Sequence, residues 1–135
     1  MTLLVDTSVW SLAFRRDSPP GSPEVEHLAR SLAGVEDVVT TGMIQLELLQ
    51  GFVPPQVRAT LEERFAALTW LEPRRADYLA AAMLGSACRR SGVQLGAVDC
   101  LIAQLAIAND LTLLTTDKDF HHAAAHVDLQ VWTQG

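Results

Sequence analysis

The sequence predicts one α/β domain in which helices surround a central parallel β-sheet. Two observations carry this prediction: short apolar runs alternate with longer helical stretches, and the runs are apolar throughout, as in strands buried on both faces. The length of 135 residues favours one domain, residues 1–135. The composition, 49% hydrophobic and 19% charged, is that of a globular protein.

The first part of the chain predicts two strands and three helices. Residues 3–5 form the first strand, and Asp6-Thr7-Ser8 then favours the start of a short helix at residues 9–14. Residues 16–23 contain three prolines and a glycine and predict a loop, and Ser22-Pro23 is typical of a helix start. The next helix should end near Gly34. A second strand at residues 38–40 precedes a helix at 42–50, with Thr41 at its cap.

The second part predicts three strands and four helices. Pro54-Pro55 opens a helix whose apolar positions share one face, residues 70–71 form a weak strand, and residues 74–91 form a long helix. The almost wholly apolar stretch 97–108 predicts a central helix. A fourth strand at 112–115, a short helix and a fifth strand at 129–132 complete the sheet. The inward face of the long helix is predicted to comprise Ala76, Leu79, Ala80, Met83, Leu84 and Ala87.

Charge and cysteine content restrict the class of protein. The net charge of −6 argues against a basic nucleic-acid-binding surface, but it does not exclude a nuclease, whose catalytic carboxylates count in the sum. Cys88 and Cys100 have no Cys-x-x-Cys spacing and predict buried, reduced thiols. No apolar run is long enough to cross a bilayer, and no leader opens the chain, so a cytoplasmic protein is expected.

Four carboxylates lie in apolar surroundings. Asp6 and Asp117 follow the first and fourth predicted strands, Glu47 lies within an apolar helix, and Asp99 interrupts the most apolar helix of the chain. In an open parallel sheet, ligands bind beyond the carboxyl ends of the strands, where the strand order reverses. If the first and fourth strands are neighbours, all four carboxylates can converge on one pocket.

Converging carboxylates require positive charge. Two of them about 4 Å apart repel by roughly 4 kcal/mol at an effective dielectric constant of 20. Oxygen ligands without a nearby cysteine favour Mg²⁺ or Mn²⁺ over Zn²⁺. Such an ion makes a bound water more acidic and stabilises a leaving oxygen, which suits the hydrolysis of phosphodiester bonds. Thr7 and Ser8, and Thr115 or Thr116, can cap helices or order a metal-bound water.

Simpler roles remain open for single residues. Any one of the acids can be a helix cap or half of a salt bridge, and Asp119 can cap the helix that begins near Phe120. The three histidines His121, His122 and His126 are predicted to be solvated, and His27 lies in a charged helix and is predicted at the surface.

At these residues the chain resembles a PIN-domain ribonuclease, in particular the VapC-type toxin of a VapBC toxin–antitoxin module. The motifs are LLVDTSVW at 3–10, the glutamate of MIQLELLQG at 43–51, GAVDCLIAQLAI at 96–107 and LLTTDKDF at 113–120. They follow the family's order and span nearly the whole chain. Cys100 stands where the family often has alanine.

The resemblance implies a five-stranded parallel sheet and a Mg²⁺- or Mn²⁺-dependent endoribonuclease. It implies an RNA substrate, with tRNA or rRNA loops as an analogy, a homodimer, and an antitoxin that lies over the active-site groove. Thr115 or Thr116 matches the family's hydroxyl, and the fourth ligand is left open between Asp117 and Asp119. The acids that match the family's catalytic and metal-binding positions are Asp6, Glu47, Asp99 and Asp117, with Asp119 as a further metal ligand.

Two other classes of protein fit part of the pattern. An aspartyl phosphatase would use Asp6 as its nucleophile, but such enzymes usually carry a second acid at the position of Ser8. A receiver-like signalling or interaction module would bind Mg²⁺ through paired acids after its first strand, and it would carry a lysine beyond its last. Asp6 stands alone, and Lys118 lies between two candidate ligands.

Overall fold

The computed structural model describes residues 1–15, 21–51 and 53–135. Most of the loop predicted at residues 16–23 lies outside them. No helix among the described residues combines the length and apolar character needed to cross a membrane. The strands are β1 (Thr2–Val5), β2 (Asp37–Thr41), β3 (Thr69–Leu71), β4 (Thr112–Leu114) and β5 (Gln130–Val131). The helices are α1 (Thr7–Ala13), α2 (Pro23–Leu32), α3 (Gly42–Leu49), α4 (Pro55–Ala66), α5 (Arg75–Arg90), α6 (Ala97–Ala108) and α7 (Lys118–Ala123).

The five strands form one parallel sheet in the order β3-β2-β1-β4-β5, which confirms the predicted α/β class. The chain builds the sheet outward from β1 through β2 to β3, and then returns to the other side of β1 with β4 and β5. The order therefore reverses between β1 and β4. The predicted adjacency of the first and fourth strands is confirmed, and their carboxyl ends form the switch point of the sheet.

The central elements are the most apolar ones. Leu3, Leu4 and Val5 of β1 are fully buried, as are Leu113 and Leu114 of β4, because helices cover both faces of the sheet. Helix α6 is buried along most of its length, which confirms its predicted central position. Each large apolar side chain removed from water contributes about 1.5–3 kcal/mol, so this interior is the main stabilising feature of the fold.

The predicted inward face of α5 is wrong at two of its three large side chains. Leu79 is 71% exposed and Met83 is 66% exposed, and Ala76 is exposed as well. The buried positions are instead Ala81, Leu84 and Cys88, so only Leu84 of the predicted face is buried.

Small residues explain which side of α5 is buried. A Cβ added at Gly85 would lie 2.9 Å from Cys100 Sγ on α6, which is closer than real Cβ contacts come. The two helices thus approach closely where Gly85 faces Cys100, while Leu79 and Met83 are exposed. Cys88 and Cys100 are buried free thiols, as predicted.

Helix α2 begins as predicted and buries one residue that was expected at the surface. Ser22 caps it by accepting a hydrogen bond from the amide of Val25, and Pro23 is its first residue. His27 is only 8% exposed, so its predicted surface position is wrong. Its Nε2 lies 2.6 Å from Glu36 Oε2, and its ring stacks on Trp132 with centroids 4.5 Å apart. These partners are distant in sequence, which is why local helical composition did not reveal them.

Candidate active site at the carboxyl edge of the sheet

Asp6 lies at the carboxyl end of β1 and is only 5% exposed. Its amide donates to the carbonyl of Leu114, which keeps it in register with the end of β4. Its side chain does not cap α1, although Asp6 occupies the cap position. Instead, Oδ2 accepts two hydrogen bonds of 2.8 Å, one from Ser8 Oγ and one from Thr115 Oγ1. The carboxylate is therefore oriented by hydroxyls from both strand ends.

Glu47 projects from α3 and is held by the residue that follows Asp6. Thr7 Oγ1 donates to Glu47 Oε1 at 2.9 Å. Helix α3 follows β2, the neighbour of β1 on the other side from β4. The hydrogen bond therefore ties a third chain segment to the end of β1. The predicted capping role of Thr7 is not seen, because its hydroxyl points to the carboxylate.

Asp99 lies in the first turn of α6. Its pKa is raised to about 6, first by burial and then by the negative charges of the other four candidate acids. Asp6 contributes most among these charges, followed by Asp117, Glu47 and Asp119. An electrostatic effect of this kind requires proximity. The other four acids therefore lie near enough to Asp99 for their charges to act on it.

Asp117 and Asp119 take different positions on α7. Asp117 is the cap residue, because its Oδ1 accepts from the amide of Asp119 at 2.9 Å. The suggested capping role of Asp119 is therefore wrong, because the cap lies two residues earlier, at Asp117. The amide of Asp117 donates to Thr115 Oγ1 at 3.0 Å, so the start of α7 is tied to the hydroxyl that binds Asp6.

The sequence did not decide between Thr115 and Thr116, and the structure gives the two residues separate contacts. Thr115 is fully buried, and its hydroxyl binds Asp6. Thr116 contributes its backbone amide, which donates to Ser8 Oγ at 3.1 Å. Thr41, which the sequence suggested only as a cap, has a buried hydroxyl without a hydrogen-bond partner among the described residues. Its place at the end of β2, beside β1, could have been found only from the strand register.

No ion pair within the described part of the chain neutralises a candidate acid. Among the described residues, the ion pairs are His27–Glu36 and Arg58–Glu62, and neither involves a candidate acid. In the same part of the chain, no group of three or more histidine, cysteine, aspartate or glutamate side chains is already arranged as a metal centre. The available donors are carboxylate and hydroxyl oxygens, which are the ligands of hard divalent cations.

Comparison with known proteins gives this edge of the sheet its context. Residues 3–126 match the PIN domain family. The chain belongs to the PIN domain family. Within that family it is 33% identical over 130 residues to "Ribonuclease VapC11" of Mycobacterium tuberculosis and to "VapC ribonuclease Mb1587" of Mycobacterium bovis, covering 95% of this chain and 96% of each relative. It is accordingly a member of the VapC ribonucleases, as the motifs predicted.

Solved structures share the whole fold. VapBC2 from Rickettsia felis, solved bound to a DNA fragment from its promoter, superposes with a TM-score of 0.76 at 18% identity over 100% of both chains. VapBC-1 from nontypeable Haemophilus influenzae gives a TM-score of 0.73 at 19% identity, covering 98% of this chain and 97% of that one. At these identities the likeness shows a common PIN fold.

Proposed function

We propose that this chain is a Mg²⁺- or Mn²⁺-dependent endoribonuclease toxin that acts on cytoplasmic RNA and is neutralised by a cognate antitoxin. The proposal depends on one observation. Five acids lie near the switch point of the sheet, and none of them forms an ion pair with a residue that the structure describes. Buried carboxylates are costly unless they are paired or bind a cation. Membership of the VapC ribonucleases supplies the reaction class.

The proposed metal ligands are Asp6, Glu47, Asp99 and Asp117, with Asp119 nearby as a further oxygen donor. When bound, the cation would make water a better nucleophile at neutral pH and stabilise negative charge on the leaving oxygen. The residues fit such an ion because all of their donors are hard oxygens, and because burial, followed by the charges of the neighbouring acids, raises the pKa of Asp99.

The protein's own contribution is orientation. Thr7 directs the Glu47 carboxylate, while Ser8 and Thr115 direct that of Asp6. Near neutral pH, the Asp99 carboxyl group can hold a proton, which a bound cation would displace. Side chains ordered in this way reduce the rearrangement needed when a phosphodiester group arrives.

The proposed partners follow from the similar structures. Those structures are described as VapBC and FitAB assemblies, which supports a protein antitoxin for this chain too. We also propose a homodimer. The whole of residues 1–135 is proposed to form one PIN domain, since β5 lies beyond the matched residues 3–126 yet pairs with β4 in the same sheet.

The experiment compares purified wild type with Asp6→Asn and Asp99→Asn on cellular RNA, with Mg²⁺, with Mn²⁺ and with EDTA. Cleavage should require the cation and should be lost in both variants. Asp37→Asn is the matched control, because it removes one exposed negative charge from the opposite end of β2. Mapping of 5′ ends after induction in cells would locate the cut sites.

Two results would overturn the proposal. One is cleavage by both variants at the wild-type rate, with circular dichroism showing an intact fold. The other is RNA cleavage that persists unchanged in EDTA. Trapping of a phosphate on Asp6 would favour the aspartyl phosphatase instead.

A further inference from the structure

The Ser8 hydroxyl connects two segments that carry different acids. It lies on α1, directly after the end of β1, and it donates to Asp6 Oδ2 at 2.8 Å. It also accepts from the amide of Thr116, in the turn that leads from β4 to α7, at 3.1 Å. A single oxygen therefore joins the side chain of one acid to the backbone that positions Asp117.

The proton count of the hydroxyls fixes the direction of these bonds. A serine or threonine hydroxyl has one proton to donate and two lone pairs to accept. The protons of Ser8 and Thr115 both go to Asp6 Oδ2, because an ionised carboxylate is the strongest acceptor nearby. The contact of 3.3 Å between the two hydroxyls is therefore secondary.

This arrangement distinguishes the two oxygens of Asp6. Oδ2 is engaged by two hydroxyls, while no hydrogen bond among the described residues ends on Oδ1. Each hydroxyl also accepts one backbone amide: Ser8 Oγ accepts from Thr116, and Thr115 Oγ1 accepts from Asp117. A rotation of the Asp6 carboxylate would thus break bonds to the β4–α7 turn as well. The orientation of Asp6 and the placement of the turn are coupled.

We propose that Ser8 is a positioning residue that, together with Thr115, holds Asp6 Oδ2 and so leaves Oδ1 to bind a divalent cation. The inference rests on the proposed function, because it assumes that the acids bind a cation. Groups that orient metal ligands typically change metal affinity or activity by about 10–100-fold when they are removed.

The test measures Mn²⁺ binding to the purified protein by isothermal titration calorimetry and by electron paramagnetic resonance of the free ion. Ser8→Ala should weaken Mn²⁺ binding about tenfold or more, while Ser8→Thr, which keeps a hydroxyl, should stay close to wild type. Ser11→Ala is the matched control, because Ser11 lies on the same helix and is exposed. The cation concentration for half-maximal RNA cleavage should rise by a similar factor in Ser8→Ala.

Further variants keep the test decisive if Ser8→Ala does not fold. Ser8→Cys nearly preserves volume but donates weakly, and Thr115→Val preserves shape without the hydroxyl. Folded variants of either kind that bind Mn²⁺ as tightly as wild type would overturn the inference alone. A wild-type protein that binds no Mn²⁺ would overturn the proposed function together with it.

Discussion

Two regions of the molecule treat negative charge in opposite ways. Between α2 and the start of β2, the Glu36 carboxylate contacts His27, whose ring stacks on Trp132. At the carboxyl edge of the sheet, none of the five acids forms an ion pair with a residue that the structure describes, and the pKa of Asp99 is raised to about 6. The first arrangement serves stability. The second costs stability, which is expected where a fold keeps a site ready for a charged ligand.

His27 is the centre of the polar contacts in the first region. Its Nε2 lies 2.6 Å from Glu36 Oε2, and its Nδ1 lies 3.5 Å from Arg30 Nη2. Both ring nitrogens and the carboxylate have partners, as is usual for buried polar groups.

The largest expected effect separates the two acids of α7. Asp117→Asn should lower RNA cleavage by about 1000-fold, because loss of a metal ligand removes several kcal/mol of transition-state stabilisation. Asp119→Asn should cost about tenfold or less, since Asp119 is exposed and influences Asp99 least among the four acids. Cleavage rates at saturating Mn²⁺ give both values. A larger loss in Asp119→Asn would reverse this assignment of the fourth ligand.

A change at the paired region should affect stability and leave the chemistry intact. His27→Ala should lower the free energy of unfolding by about 2–3 kcal/mol, because it removes a hydrogen bond to a carboxylate and a ring contact. Urea denaturation measures the loss, and His126→Ala, at an exposed position, is the control. Cleavage per folded molecule should stay unchanged. A loss of activity without a loss of stability would contradict the separation of the two regions.

Packing behind the acid edge gives a third test. Gly85→Ala should destabilise the protein by about 1–2 kcal/mol, because its Cβ would meet Cys100 Sγ on the helix that carries Asp99. In a Cys100→Ala background the same change should be close to neutral. Thermal unfolding of the four proteins in this cycle measures the coupling. Equal costs in the two backgrounds would show that the contact does not limit the approach of α5 and α6.

The smallest effect concerns pH in the absence of metal. The folded protein binds a proton at Asp99 near pH 6, whereas the unfolded chain binds it near 3.8. Stability from this residue is therefore gained as the pH falls from about 7 to about 4, and lost as it rises. Asp99→Asn should raise the stability at pH 7 by less than about 1 kcal/mol, given solvent screening. Unfolding free energies at pH 5 and 7, compared with those of Asp37→Asn, check the sign. A wild-type protein that loses stability on acidification, while Asp99→Asn does not, would contradict it.

The sequence predicted the elements better than their partners. Apolar runs marked every strand, and the apolar length of α6 indicated its central position. Side-chain size misled the prediction for α5, because the close contact with α6 selects small residues rather than large apolar ones. His27 was misplaced because Glu36 and Trp132 reach it from other elements. Tertiary contacts of this kind leave no local pattern.

The sequence also predicted the acids of the candidate site better than the contacts between its residues. Spacing after strands was sufficient to select Asp6 and Asp117, since strand ends converge in any parallel sheet. It could not choose between Thr115 and Thr116. The side chain of Thr115 binds Asp6, whereas Thr116 binds Ser8 through its backbone amide. Nor could it show that Thr7 would bind Glu47 rather than cap a helix. These details depend on the register of β1 against β4 and on the position of α3.

The place of β1 between β2 and β4 determines when the protein can first be active. Strand β1 obtains its second neighbour only after residue 114 has been synthesised, and Asp117 comes later still. The switch point between β1 and β4 therefore cannot form on a chain that is still shorter than this, and the candidate site is absent from such a chain.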